Sequence, residues 1–179
     1  MPELLFLAHR IPYPPDKGDK IRSWHFLQHL SRQYRVHLGC FIDDARDWQY
    51  EAFLRDVCDE CCFVPLDRAR ARWRSLRALL TGAPMTVPYY SSRTLADWVD
   101  DLLRRRKPDR IFLYSSAMAQ YVRGNDPRAP RRIMDFVDVD SEKWLDYARN
   151  TRWPKNWIYR REGRTLRRFE RTVAGEVDQ

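Results

Sequence analysis

Short apolar runs alternate with amphipathic stretches along almost the whole chain. Leu4–Ala8 is a compact apolar run and predicts a first strand. Asp19–Gln33 repeats Ile21, Trp24, Leu27 and Leu30 at near-helical spacing and predicts a helix. Val36–Ile42 predicts a second strand, closed by Asp43 and Asp44. A weaker helical pattern covers Asp47–Val57, and Cys61–Leu66 predicts a third strand. Asp67 then stands as an N-cap for a helix through about Leu80, stopped by Gly82 and Pro84. Thr94–Arg106 predicts another helix, Arg110–Tyr114 a fourth strand and Ile133–Val137 a fifth. Helical patterns resume at about Ser141 and at about Lys155. The last of these is long and basic and runs almost to Asp178 and Gln179.

Strands separated by helices predict an α/β fold, a Rossmann-like parallel sheet covered on both faces. In such sheets ligands bind beyond the carboxyl ends of the strands. A length of 179 residues fits one domain, 1–179, with enough apolar content for a real core. The formal charge of +8 favours an anionic partner: phosphate ligands, anionic lipid or nucleic acid. No apolar run is long enough to span a bilayer, and the N-terminus lacks the pattern of a signal peptide, so a cytoplasmic protein is expected.

The richest candidate chemistry lies between the first strand and first helix, in HRIPYPPDKGDKIRS (His9–Ser23). A strand, a polar loop and a helix N-terminus form the usual anion-binding corner of an α/β fold. Lys17, Lys20 and Arg22 supply positive charge there, between Asp16 and Asp19. Gly18 allows a tight turn and close backbone approach. The loop satisfies neither a Walker A pattern nor G-x-G-x-x-G. An ordinary turn, with Asp19 as helix cap, is the alternative. His9 closes the first strand without a partner in sequence, and a structural role beneath the loop is expected. Four cysteines, Cys40, Cys58, Cys61 and Cys62, include a C-x-x-C-C run. Cys61 and Cys62 point to opposite faces of a strand, which favours reduced core thiols over a zinc site.

The same loop also carries a resemblance. Together with VHLGCFIDD (Val36–Asp44), LLTGAPMTVPYY (Leu79–Tyr90), SSAMAQY (Ser115–Tyr121) and DFVDVDSEKW (Asp135–Trp144), it resembles the exopolysaccharide-associated branch of glycosyltransferase family 4, which has the GT-B fold. The matches fall in order over nearly the whole chain. The resemblance implies an amino-terminal, acceptor-side domain, with a second Rossmann-like domain holding most of a nucleotide-sugar donor. It implies a retaining transferase with no metal and no other cofactor. Its acceptor would be a polysaccharide or a lipid-linked saccharide. A histidine near the later strand ends contacts the transferred sugar in many members; none stands there in this chain.

By the parallel-sheet rule, Ser115 and Ser116 after the fourth strand share one edge with Asp138, Asp140 and Ser141 after the fifth. All are candidates for sugar contacts, with Asp138 the candidate catalytic carboxylate. A helix cap is the competing role for Asp140 and Ser141. In DRARARWRSLRALL, Ala69, Trp73, Leu76 and Leu80 form one stripe among many arginines. That helix either lies on an anionic membrane through Arg70, Trp73, Arg74 and Arg77, or turns its stripe to the sheet. The resemblance points to the membrane. The later segment, with Ile158, Leu166, Phe169 and Val173 in register, is expected to pack. Two other readings stay open: a non-catalytic basic module on membranes, and a nucleic-acid-binding module. No zinc-finger, RNA-recognition or basic-zipper signature supports the last, and no nucleic-acid partner is expected.

Overall fold

Five apolar runs become the five strands of one parallel sheet in the computed structural model, which describes residues 1–122 and 130–177. The strands are β1 (Glu3–Ala8), β2 (Arg35–Ile42), β3 (Glu60–Pro65), β4 (Arg110–Tyr114) and β5 (Arg131–Asp135). Their order across the sheet is β3-β2-β1-β4-β5, and every pairing is parallel. The sheet runs outward from β1 in both directions, so the point of reversal lies between β1 and β4. Open α/β sheets place their ligand crevice there. Asp178 and Gln179 lie outside the described residues.

The helices are α1 (Gly18–Leu30), α2 (Glu51–Val57), α3 (Arg68–Thr81), the single turn α4 (Thr86–Tyr89), α5 (Arg93–Arg105), α6 (Asp140–Arg149) and α7 (Lys155–Glu176). They cover both faces of the sheet. On one face Trp24 and Leu27 of α1 and Leu54 of α2 pack on Leu4, Phe6, Leu38 and Phe112. On the other, Leu95, Val99 and Leu102 of α5 and Val173 of α7 pack on Leu5, Leu7, Ile111 and Leu113. Alternate residues of β1 divide between the two cores, as a strand buried on both faces requires. Cys61 and Cys62 separate in the same way, and all four cysteines are free.

Local signals explain most boundaries. Asp67 accepts hydrogen bonds from the amides of Ala69 and Arg70, at 2.9 and 3.1 Å, and starts α3. Gly82 ends it in the left-handed region at φ 73°, which glycine adopts without penalty. Other boundaries depart from the sequence expectation. Part of the stretch expected as one helix over Asp47–Val57 is a 3₁₀ segment, Ala45–Tyr50. The fifth strand lies two residues earlier than expected, because the Val137 amide donates to Asp135 Oδ1 at 2.7 Å and Val137 leaves extended backbone at φ 68°.

One amphipathic pattern is oriented differently from the expectation, and a second takes one of the two orientations left open. In α1 the buried set is Lys20, Ser23, Trp24 and Leu27, and Ile21 is exposed. In α3 the buried set is Ala71, Ser75 and Ala78, so the small residues face inward. Trp73 is 73% exposed and Leu80 is 90% exposed, which removes the reading that turns this stripe to the sheet. The long helix α7 packs as expected, through Leu166 and Val173. It also buries two glutamates, Glu162 and Glu170. Gly163 lets α6 come close: a Cβ there would stand 2.7 Å from Leu145 and 2.9 Å from the Ser141 carbonyl.

Candidate functional site

A cleft of about 1070 Å³ opens at the carboxyl edge of the sheet, over the β1/β4 reversal. Its floor comes from strand ends: His9 and Arg10 after β1, Ser115 after β4, and Val137, Asp138 and Asp140 after β5. Asp19 of α1 closes one side. Arg72, Ser75 and Leu76 of α3 and Tyr89 and Tyr90 form another wall. Lys143 and Trp144 of α6, with Ile158, Tyr159 and Glu162 of α7, complete it. Acids, bases and aromatic faces therefore converge on one concavity, the pattern of a small-molecule site.

Two floor residues hold unusual backbone. Ser115 has φ 88° and Val137 has φ 68°. For a β-branched residue the left-handed region is costly, on the order of 1–3 kcal/mol. The surrounding bonds enforce it. The Ser115 amide donates to the Asp135 carbonyl at 2.9 Å, and Arg22 donates to the Val137 carbonyl at 3.1 Å. Strain of this kind concentrates where a fold must aim groups at a ligand.

His9 has the partner its sequence neighbourhood did not reveal. Its Nε2 lies 3.6 Å from Asp19 Oδ2, and its Nδ1 lies 3.4 Å from the Tyr114 carbonyl. The ring stacks on Tyr114 and meets the edge of Tyr90. Arg10 bridges Asp19 at 2.6 Å and Asp43 at 3.2 Å. The His9 contact and the Arg10 charge together hold the Asp19 carboxyl well below the usual range, against the opposing effect of burial. Asp19 is thus no helix cap, since its oxygens serve the strand end. The first residues of α1 have no side-chain cap.

Asp140 also differs from the expected cap. It lines the cleft, and among the described residues it has no hydrogen-bond or ion-pair partner. Burial raises its carboxyl above the usual value, with Lys143 and His9 acting against the rise. Asp138, the candidate catalytic carboxylate, is the more exposed of the pair and stands 3.6 Å from Lys143. Ser141 neither caps α6 nor lines the cleft; its hydroxyl donates to Glu170 Oε2 at 2.5 Å. Glu162 accepts from the amides of Met85 and Thr86, at 2.6 and 2.9 Å, and so seats the Tyr89–Tyr90 wall.

The basic loop is divided. Lys17 and Gly18 are exposed, and a Cβ at Gly18 would meet nothing within 4 Å, so approach from solvent is open. Gly18 has no left-handed backbone and begins α1, so no turn requires glycine there. Lys20 is 1% exposed, and its ammonium sits 2.8 Å from Asp47 and 3.4 Å from Asp16. It is a buried structural cation, unable to reach a ligand. Arg22 pairs with Asp135 at 2.9 Å. Ser116 is buried in the 3₁₀ segment Ser116–Tyr121, off the cleft. On α3, Arg74 is occupied by the carbonyls of Pro88 and Tyr89, at 2.5 and 3.0 Å, so it is no free membrane contact.

Of the residues singled out in sequence, Asp19, Ser115, Asp138 and Asp140 share the cleft. His9, Arg10, Tyr89, Tyr90 and Trp144 join them without having been candidates. The Tyr-Tyr pair in the quoted VPYY motif was the available signal for two of these.

The state of Asp19 makes one prediction. Its folded carboxyl is depressed, so its stabilisation is complete well above pH 3.8 and fades as pH falls through and below that value. Asp19→Asn is therefore expected to lower the urea midpoint at pH 7, with the gap to wild type narrowing only below pH 3.8 and closing only well below pH 3. A gap of constant size across that range would show that the His9–Asp19–Arg10 contact contributes nothing ionic.

No protein-family model, no curated protein and no solved structure matches this chain.

Proposed function

We propose that this chain is the acceptor-side domain of a sugar transferase that moves a sugar from a nucleotide-diphosphate donor to a saccharide or lipid-linked acceptor. The observation that carries the reading is the cleft over the β1/β4 reversal, with its carboxylates and aromatic walls. Carboxylates accept hydrogen bonds from sugar hydroxyls, and aromatic faces pack against pyranose rings. The resemblance in His9–Ser23 and Asp135–Trp144 points to the same chemistry. Donor phosphates are held chiefly by a second domain, and Lys17 and the open face at Gly18 reach toward them across the gap. The departing diphosphate is stabilised by cations and helix N-termini, with no metal required.

The exposed side of α3 gives this domain a second task. Trp73, Leu76 and Leu80 stand outward among Arg70, Arg72 and Arg77, a composition suited to the interface of an anionic membrane. A lipid-linked acceptor is then presented at the mouth of the cleft, which Arg72 and Leu76 also line.

The test is a titration of the chain followed by amide chemical shifts. A lipid-diphosphate-linked disaccharide is expected to shift signals from His9, Tyr90 and Asp140, whereas a uridine diphosphate sugar leaves them in place at millimolar concentration. The chain by itself is expected to turn over no donor. Sugar transfer by residues 1–179 above the hydrolysis background would overturn the division of labour. Steeply salt-dependent binding to random DNA, with no saccharide effect, would favour a nucleic-acid module instead.

A further inference from the structure

The opposite edge of the sheet, at the amino ends of the strands, holds a cluster that plays no part in the cleft. His37 on β2 is fully buried. It faces Glu60 in the parallel register with β3. Its Nε2 lies 3.1 Å from Glu3 Oε2. Donation of that N–H to the carboxylate leaves the lone pair on Nδ1. Nδ1 is buried and has no hydrogen-bond partner among the described residues. A buried, unfilled imidazole lone pair is an uncommon state for a folded interior.

One ring nitrogen of His37 and one oxygen each from Asp59 and Glu60 lie within 4.8 Å of one another. We propose that His37, Asp59 and Glu60 bind a first-row divalent cation, zinc above all, at the amino-terminal edge of the sheet. An imidazole with two carboxylates is a ligand set that suits Zn²⁺ and Mn²⁺. Glu3 takes the supporting position: a carboxylate on the far ring nitrogen fixes the tautomer and orients the ligand. Ligands about 2.1 Å from a tetrahedral metal stand about 3.4 Å apart. The three groups must therefore close by up to about 1.4 Å, and Asp59 is at the surface.

Charge decides whether a cation is tolerated. Arg105 of α5 and Arg106, which follows it, hold Glu60 at 3.0 and 2.6 Å, and Arg106 lies 3.7 Å from Asp59. Asp101 also takes Arg105, at 2.7 Å. Glu3, Asp59 and Glu60 thus face two guanidiniums, so the cluster keeps a net negative charge that favours a cation. The guanidiniums position Glu60, and Asp59 is the more exposed of the two acids. A bound ion ties β2, the edge strand β3 and the end of α5 together, far from the cleft. The C-x-x-C-C run drew attention to this loop in the sequence for its thiols; the proposed ligands are its two acids, between Cys58 and Cys61, with His37 beside them.

The experiment uses the full chain, stripped with chelator and titrated with ZnCl₂ and, separately, MnCl₂. Calorimetry is expected to give one zinc site, and the melting temperature is expected to rise by roughly 5–10 °C at zinc 100-fold above Kd. Asp59→Asn, a surface change that leaves the fold intact by circular dichroism, should weaken binding at least tenfold, and His37→Gln should abolish it. Cys61→Ser should leave it unchanged. Absence of binding by either metal overturns the proposal. So does binding that survives Asp59→Asn, or binding lost in Cys61→Ser, which would assign the metal to the thiols.

Discussion

Lys20→Ala is expected to destabilise the fold by about 3–5 kcal/mol, because it leaves the Asp47 carboxylate buried and unpaired. For a chain of this length that is a fall in melting temperature on the order of 10 °C. The sequence places Lys20 in a basic loop beside Lys17, where both read as anion ligands. In the fold the two residues have different jobs. Lys17 is in water, whereas Lys20 occupies a buried position of α1 and ties that helix to the 3₁₀ segment that carries Asp47. The double change Lys20→Met/Asp47→Leu removes both charges together and should recover most of the loss, since paired apolar replacements of buried ions are often neutral. Thermal denaturation of the three proteins checks this. A Lys20→Ala protein as stable as wild type would mean that the ammonium is not held by Asp47. Lys17→Ala, by contrast, should leave stability unchanged.

The second large effect concerns the membrane. Arg70→Glu/Arg77→Glu is expected to weaken co-sedimentation with vesicles of phosphatidylglycerol by at least about 100-fold, since each reversed charge exchanges attraction for repulsion at an anionic surface. Both side chains are on the exposed part of α3, and neither is buried in the fold, so the variant should melt like wild type. Trp73→Ser/Leu80→Ser should weaken binding further at high salt, where the electrostatic part is screened and apolar insertion carries the remainder. Arg74 does not belong in this test, because its guanidinium holds the carbonyls of Pro88 and Tyr89. Equal sedimentation of wild type and the charge-reversed protein would end the membrane assignment. The outward stripe of α3 would then need another partner.

The cleft and the outward apolar stripe meet at α3. Leu76 and Arg72 line the cleft, while Trp73 and Leu80 stand outside it. The small residues Ala71, Ser75 and Ala78 let the helix lie close to its neighbours. Ser75 donates to the Met85 carbonyl at 2.9 Å, and Arg161 of α7 donates to the Ala78 carbonyl at 2.5 Å. α3 is thereby joined to both the tyrosine wall and α7, so attachment of its outer face to a surface bears directly on the walls of the cleft.

The order of strands and helices was legible from the chain alone, and the reason is local. Fully buried strands such as Leu4–Ala8 and Val36–Ile42 are unbroken apolar runs, and Asp67 and Gly82 act on backbone groups one or two residues away. The parallel sheet follows from the alternation, and with it the edge on which Ser115, Asp138 and Asp140 gather. The remaining features depended on tertiary structure because they rest on neighbours distant in sequence. His9 meets Tyr114 across 105 residues, and Glu162 seats the Met85–Thr86 turn across more than 70. Neither spacing carries a local signature. Helical periodicity states that a stripe exists; what packs against the helix decides which side is buried. Thus Lys20 turned inward to meet Asp47, Trp73 turned outward beside arginines, and Asp140 stands on the wall of the cleft with no hydrogen-bond partner among the described residues.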